Sequence, residues 1–443
     1  MILTMRRNLI RCPKRLPILT WPKRFLVRLM KKPLGDLSGK TTVLFAGVTL
    51  GVVMLAAGCS KKPVLEPYNW NPRVHYALTE LLTDYGNKSK AYNPECRPYA
   101  VFDFDNTTII DDVSQTLLVY QIENLAFSIE PEDMFGVLTR GVPDLDRDFG
   151  NGWTPRILAE DISKDYAALY GLRDNPAAMR GTDEYKDFRA KLWFLSSNID
   201  MTDTDSPFGC IWITTLLDGM TDQEVRELTR ASVDYWMEQG SMWHETWTTS
   251  DGQIEVNVPK GIGLTPEIKS LYHALQRYGF DVYICSASFE PIVEAMACDP
   301  AYGLGIDEDH VFGIRLAQTP DGRLKAIGDS TYTQTYHEGK VQCIKDFMAK
   351  DHGGRGPALV AGDSNGDFAM LTSFPDLKVG LIVNCLRTGA IGGMTAASIG
   401  NVPDLSLKER KNPLYVVQGR DPELLQFIPS WDSIPVETYL SED

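Results

Sequence analysis

The sequence predicts an α/β fold: a parallel sheet with a mainly α-helical cap domain inserted after its first strand. Two observations carry this. After residue 278 short apolar runs alternate with helical patterns, the arrangement of a parallel sheet covered on both faces. A further apolar run, Tyr99-Ala100-Val101-Phe102, stands far upstream of the others, separated from them by a stretch, 111–277, whose spacing is chiefly helical. A chain of 443 residues is also too long for one compact core, so at least two domains are expected.

Along the chain, the Pro-rich segment leading to residue 70 reads as a tether. Over 74–82, Val74, Ala77, Leu78, Leu81 and Leu82 recur at helical spacing and predict a helix packed on the catalytic domain. Thr221-Asp222-Gln223-Glu224 is a capping box, followed by Val225, Leu228 and Ala231, with Gly240 as a stop. Thr265 caps the next helix, Pro266 takes its first turn, Ile268, Leu271 and Leu275 form its apolar face, and Gly279 closes it. Residues 280–285 read as a strand, 290–297 and 341–349 as helices, and 358–361 and 378–383 as strands. The expected organisation is a leader over 1–58, a tether over 59–70, and a Rossmann-like core made of 71–110 and 278–420. The cap spans 111–277 and a tail 421–443. A cap so placed sits as a lid above the carboxyl ends of the strands, where ligands bind in open α/β sheets.

The composition, 43% hydrophobic and 23% charged, is that of a globular protein. Residues 1–58 hold 11 of the 44 Lys and Arg and one acid, Asp36, leaving 33 basic against 58 acidic side chains in the remainder. A body this acidic repels nucleic acid and anionic lipid, so no nucleic-acid partner is expected. An anionic substrate would need a metal or local Lys and Arg. Residues 41–58 (TTVLFAGVTLGVVMLAAG) are uncharged and follow a Lys/Arg-rich stretch, the pattern of a signal peptide or one membrane-spanning helix. Ala56, Ala57 and Gly58 lead into Cys59, then Ser60, Lys61 and Lys62. This resembles a bacterial lipoprotein signal with Cys59 as the lipidated residue, although Leu55 stands one place earlier than usual. The expectation is a lipid-anchored protein of the bacterial cell envelope, on the periplasmic side of the outer membrane; an uncleaved anchor is the alternative. Met30-Lys31-Lys32 would itself make an ordinary signal start, so 1–29 read as an upstream extension or a longer leader. The eight cysteines include no close-set pairs of the kind that bind zinc.

Four separated segments carry chemistry: Asp103-Phe104-Asp105-Asn106-Thr107, Ser286-Ala287-Ser288, Gly339-Lys340 and Gly362-Asp363-Ser364-Asn365-Gly366-Asp367. Taken singly each has an ordinary reading: turn chemistry, a helix N-cap, an uninformative dipeptide, a Ca²⁺ loop lacking the bidentate Glu. Taken together, in order and at the ends of apolar runs, they describe a phosphoryl-transfer site. Two carboxylates at i and i+2 past a strand end can share one pocket if the chain bends there. One can attack phosphorus and the other can move the proton of the leaving oxygen. Repulsion between carboxylates and phosphate calls for a hard divalent cation, and Mg²⁺ suits oxygen donors. Asp363 is the natural further ligand, and Asp367 can reach the same ion. Ser286 and Lys340 can hold phosphoryl oxygens.

These motifs resemble the haloacid dehalogenase-like superfamily of phosphohydrolases, specifically its phosphoserine-phosphatase-like branch. Residues 282–290 (VYICSASFE), with Val293 and Asp299-Pro300, resemble bacterial phosphorylcholine phosphatases within it. The resemblance implies Asp103 as nucleophile and Mg²⁺ ligand, Asp105 as acid/base with its carbonyl on the metal, and Asp363 as the remaining direct ligand. It implies Asp367 in support of the metal or Lys340, and phosphate contacts from Thr107, Ser286, Ala287 and Lys340. Asp112 falls where an acid of the family faces a cationic nitrogen of the substrate. Asn365-Gly366 precede Asp367 where phosphoserine phosphatases have Asn-Asp.

Substrate choice is expected from the cap, which holds Trp153, Trp193, Phe194, Trp212, Trp236, Trp243 and Trp247. Aromatic faces beside an acid suit a quaternary ammonium. The segment 241–247 (SMWHETW), following the Gly240 stop, is the expected cage, on a loop, with Trp243 and Trp247 as its walls. The sequence thus points to a Mg²⁺-dependent phosphatase of small phosphomonoesters, phosphocholine or phosphoethanolamine favoured. A phosphoserine phosphatase is the alternative, with Arg140, Arg147, Arg156, Arg173 or Arg180 as its carboxylate partner. A non-catalytic ligand-binding lipoprotein is a third reading.

Overall fold

The structure, a computed structural model, describes residues 64–200, 208–401 and 406–435. The leader, the apolar run 41–58 and Cys59 lie outside the described residues. No helix among those described is long and apolar enough to cross a membrane.

The first helix, α1 (Pro72–Tyr85), starts at Asn71, whose side chain accepts the Arg73 N–H, and buries the five apolar residues that predicted it. Strand β1 (Tyr99–Phe102) follows, fully buried. The insertion then contributes α2 (Val113–Asn124), α3 (Met134–Thr139), α4 (Pro155–Tyr170), α5 (Asp183–Asp200), α6 (Phe208–Thr215) and α7 (Asp222–Met237). The Thr221 capping box that opens α7 is formed in full. The insertion also contains a hairpin, β2 (Trp243–Thr248) with β3 (Glu255–Lys260), where the sequence suggested loop. Residue-by-residue antiparallel pairing with β3, from Trp243 opposite Lys260 to Thr248 opposite Glu255, satisfies the backbone of this segment.

Helix α8 (Pro266–Arg277) packs on the sheet rather than with the insertion. Its Tyr272 ring lies 4.6 Å from that of Phe102, and its hydroxyl bonds Thr108 at 2.7 Å. The remainder runs β4 (Asp281–Phe289), α9 (Glu290–Ala297), β5 (Val311–Ile314), β6 (Leu316–Gln318), β7 (Leu324–Gly328) and α10 (Glu338–Cys343). It continues with β8 (Leu359–Gly362), α11 (Phe368–Thr372), β9 (Val379–Val383), α12 (Gly389–Ser398), β10 (Leu414–Asp421) and β11 (Gln426–Ile428). Three expectations are corrected. Strand β4 extends four residues beyond 285, through Ser286 and Ser288, with a register shift against β5. Helix α10 begins at Glu338 and passes into a π turn, Ile344–Met348. Part of the stretch read as a tail pairs with the sheet, as β11 antiparallel to β10.

The main sheet has seven strands in the order β11-β10-β9-β8-β1-β4-β5, all parallel except β11. Alternate residues of each strand feed two cores. Ala100, Phe102, Val282, Ile284, Leu359 and Ala361 lie in one cluster; Tyr99, Val101, Tyr283, Cys285 and Val360 lie in the other. Two-sided burial explains why these strands read as continuous apolar runs, and it fixes their register firmly.

Candidate active site

Register alone gathers the motif residues. Phe102, the last residue of β1, lies opposite Ile284 of β4 and Ala361 of β8. Asp103 therefore leaves the sheet between the segments carrying Ser286 and Asp363, its N–H still bonded to Ala361 O at 3.0 Å. The chain then bends sharply. Phe104 O accepts the N–H groups of Thr107, Thr108 and Ile109, and Asn106 and Asp111 take left-handed φ values of 57° and 78°. That bend lets Asp103 and Asp105 face one cavity of about 500 Å³. Lys340, Asp363, Ala287 and Ser288 line it from the sheet side, and Asp112, Gln115, Trp193, Ser196, Ser197 and Cys210 from the insertion.

Lys340 Nζ is buried and donates to Asp103 Oδ1 and Asp367 Oδ1, both at 2.6 Å. The second oxygen of Asp367 accepts the N–H groups of Asp363 and Ser364 at 3.0 and 3.1 Å and the Ser364 hydroxyl at 3.1 Å. Gly362 makes this approach possible, since a Cβ there would stand 2.4 Å from Asp367 Cβ. Asp103, Asp363 and Asp367 each place a carboxylate oxygen within 4.8 Å of the other two. The Asp105 carboxylate stands apart from this cluster, accepting the Val113 N–H and the Ser288 hydroxyl, both at 2.7 Å. Ser288 is in turn bonded by Ser114 at 2.8 Å.

Ser286 lies behind the cavity wall, buried, with its hydroxyl 3.4 Å from Asp105 Oδ2 and accepting the Ser288 N–H at 3.0 Å. Thr107 is also buried, its hydroxyl 3.4 Å from Asp103 Oδ2. Asp112 lines the cavity and caps α2, accepting the Gln115 N–H at 2.9 Å. Asn365 bonds the start of α12, accepting the Ile391 N–H at 3.0 Å and donating to Thr388 O at 3.2 Å.

Burial, more than any neighbour, raises the Asp103 carboxyl well above the usual carboxylate range. Asp367, Asp363 and Asp105 add to the rise and Lys340 opposes it. Asp105 is pushed up to about 8, first by burial and then by the charge of Asp112, against the bonds from Ser288 and Val113. Asp363 is raised by burial, with Arg387 opposing.

The aromatic cage expected at 241–247 is corrected. Trp247 is buried and sits in strand β2, not on a loop, and neither it nor Trp243 lines the cavity. The ammonium beside Trp247 is the chain's own. Lys260 Nζ stands 5.9 Å from the Trp236 ring and 5.3 Å from that of Trp247, paired with Glu123 at 2.5 Å and with Glu245. Trp193, edge-on to Trp247 with centroids 6.4 Å apart, is the tryptophan that reaches the cavity.

Sequence reasoning missed Arg387, Tyr336 and His337, all of which line the cavity. His337 adopts φ 47° and ψ −120°, a sparsely populated conformation for a non-glycine residue, directly before α10. Arg387 approaches Asp363 Oδ2 through Nε and Nη2 at 3.5 Å. Neither lies in a recognisable motif; their loops are positioned only by the fold.

The cluster Asp103, Asp363 and Asp367 offers oxygen donors alone, and two of its carboxylates, Asp103 and Asp367, pair with the Lys340 ammonium. That donor set fits a hard divalent cation.

The sequence profile of the haloacid dehalogenase-like hydrolases matches residues 205–372, a span that includes Ser286, Lys340, Asp363 and Asp367. The chain is 26% identical over 345 residues to the phosphorylcholine phosphatase of Pseudomonas aeruginosa, covering 72% of this chain and 81% of that protein. A conserved protein of unknown function from Anaerococcus prevotii superposes with a TM-score of 0.74 at 28% identity, over 85% of this chain and 99% of its own. With the parallel sheet and the acidic cavity at its carboxyl edge, these likenesses to haloacid dehalogenase-like hydrolases support a phosphatase.

Proposed function

We propose that this phosphatase hydrolyses small phosphomonoesters with cationic head groups, phosphocholine or phosphoethanolamine, through an aspartyl-phosphate on Asp103. The observation that carries the reading is a carboxylate, Asp103, held by a buried ammonium 2.6 Å away at the floor of a cavity whose insertion side bears Asp112 and Trp193. Mg²⁺ fits the acidic cluster. Both oxygens of Asp367 are already bonded to Lys340 and to the 363–364 backbone, so Asp103 and Asp363 are the residues to hold the ion and Asp367 the one to fix them. The ion would supply positive charge to offset the carboxylates and the phosphoryl group.

The rest is done by the chain. Asp103 Oδ attacks phosphorus, and the bond to the leaving alkoxide breaks. Asp105, still protonated at neutral pH with its carboxyl near 8, gives its proton to that oxygen. Now ionised, Asp105 takes a proton from water, which attacks the phosphorus of the acyl phosphate and releases inorganic phosphate and free Asp103. Lys340 keeps the Asp103 carboxylate oriented throughout. Asp112 would face the cationic nitrogen, with Trp193 presenting aromatic surface to it.

The phosphoserine alternative asks for a cation on the insertion side. Arg140, Arg147, Arg156, Arg173 and Arg180 line no part of the cavity; Arg156, for instance, pairs with Asp146 and Arg173 stacks on Tyr170. Turnover of phosphocholine, phosphoethanolamine, phosphoserine and a nucleotide at equal concentration tests the reading. A higher kcat/KM for phosphoserine than for the two amino-alcohol esters would overturn it. We also propose that Cys59 carries the lipid anchor; fatty-acid labelling of the bacterial product, lost on Cys59→Ala, checks this.

A further inference from the structure

We propose that Arg387 is a second phosphoryl-binding residue, contacting the oxygens of the transferring group that Lys340 is too confined to reach. The inference rests on the phosphatase reading above and deepens it. Lys340 is 2% exposed and its Nζ lies 2.6 Å from each of two carboxylates, so its charge is largely committed within the floor of the site. A phosphomonoester dianion adds close to two negative charges to a cavity already holding Asp103, Asp363 and Asp367. Among the described residues, Lys340 and Arg387 are the cations that line this cavity.

Arg387 is placed for the task by its loop, which is held on both sides. Before it, the Asn384 side chain accepts the Leu386 N–H at 3.0 Å, donates to Trp431 O at 2.9 Å, and leaves Leu386 in a left-handed turn with φ 56°. After it, Asn365 bonds Thr388 O and Ile391 N, and Gly389, with φ 75°, leaves no space for a Cβ against Asn365. The guanidinium is thus brought to Asp363 while half of the side chain faces solvent and the cavity. Its two contacts to Asp363, at 3.5 Å, are long beside a charge-assisted bond of about 2.8 Å. A planar fork with five N–H donors can retain one edge toward Asp363 and offer another to phosphoryl oxygens in the bidentate geometry that lysine lacks.

The test is calorimetric titration of inorganic phosphate into the Mg²⁺-loaded protein, and of Mg²⁺ alone into the metal-free protein, for wild type, Arg387→Gln and Arg387→Lys. Phosphate should bind Arg387→Gln at least about tenfold more weakly, with Arg387→Lys between the two. KM for a generic aryl phosphate and for phosphocholine should rise by the same factor, because the contact is to the group they share. Mg²⁺ affinity should not weaken. Unchanged phosphate affinity in Arg387→Gln, with only Mg²⁺ binding altered, would reduce Arg387 to a partner of Asp363 and overturn the inference. Wild-type protein that binds no phosphate would instead overturn the phosphatase mechanism on which it rests, and this inference with it.

Discussion

Asp105 and Asp111 show how much a few desolvated carboxyls govern here. Asp105 must hold a proton at neutral pH to act as an acid, and burial, helped by Asp112, raises it to about 8. Replacing Asp112 by Asn removes one of the charges that raise it, so Asp105 should lose its proton at lower pH. The alkaline limb of kcat against pH, measured on an aryl phosphate, should move down by a few tenths of a unit to about one unit. The same variant should raise KM for phosphocholine more than for the aryl ester; an unmoved limb would remove Asp112 from the acid's environment. Asp103→Asn should reduce hydrolysis of every phosphomonoester to background, on the order of 10⁴-fold or more, because in the proposed mechanism Asp103 is the group that forms the acyl phosphate. Asp111 is raised to about 7, chiefly by burial. A carboxyl raised in the folded state favours folding fully only below its unfolded pKa, and that contribution disappears as pH rises through 7. Asp111→Asn tolerates the left-handed φ of 78° and carries no charge, so it should gain on the order of 1 kcal/mol at pH 8 and little at pH 4, discounted for the side chain's partial exposure. Denaturant melts in chelator at the two pH values measure this.

At the scale of elements, strand ends and the turns after them decide where charge sits. Gly362 closes β8 and leaves room for Asp367 to fold back onto its own backbone. Gly362→Ala would drive Asp367 away from Lys340, and turnover should fall about 100-fold, equivalent to about 2.7 kcal/mol of activation free energy, in a protein that retains its secondary structure by circular dichroism. The hairpin β2–β3 carries the opposite lesson. Lys260 is 4% exposed in its side chain and holds Glu123 and Glu245 beside Trp236 and Trp247, so it belongs to the packing of the insertion. Lys260→Met leaves Glu123 without its cation and should cost about 2–3 kcal/mol by urea denaturation, while KM of the folded enzyme stays near wild type. A large change in KM with unchanged stability would return this cage to the substrate.

Across the whole described body, the insertion is fastened to the sheet domain by a line of polar contacts along α7 and α9. Arg226 pairs with Glu294 at 2.5 Å, Arg230 with Asp299 at 2.8 Å, and Asp234 accepts the Tyr302 hydroxyl at 2.9 Å. Glu294 is 8% exposed in its side chain, so these are not all solvent-screened surface pairs. Arg226→Met leaves Glu294 buried without its cation and should lower stability by about 2–3 kcal/mol. If the insertion must be held in place for Asp112 and Trp193 to meet the substrate, KM for phosphocholine should rise in the same variant; thermal melts and steady-state kinetics on one preparation separate the two effects.

Periodicity in the sequence was enough for the sheet class and for most helices, because two-sided burial writes strands as apolar runs and caps write helix starts as Thr, Asn and Pro. The four motif segments, not periodicity, offered Asp103, Asp105, Lys340, Asp363 and Asp367 as candidates, and the structure gathers them at one end of the sheet. What the tertiary structure decided was direction. Whether Asp105 turns toward the acidic cluster or toward Ser288, whether Ser286 faces the cavity or its wall, and whether a tryptophan meets the substrate or Lys260 all depend on register between strands far apart in sequence. Arg387 and His337 were invisible for the same reason: loops carry no period, and only the strands and helices that hold their ends say where they point.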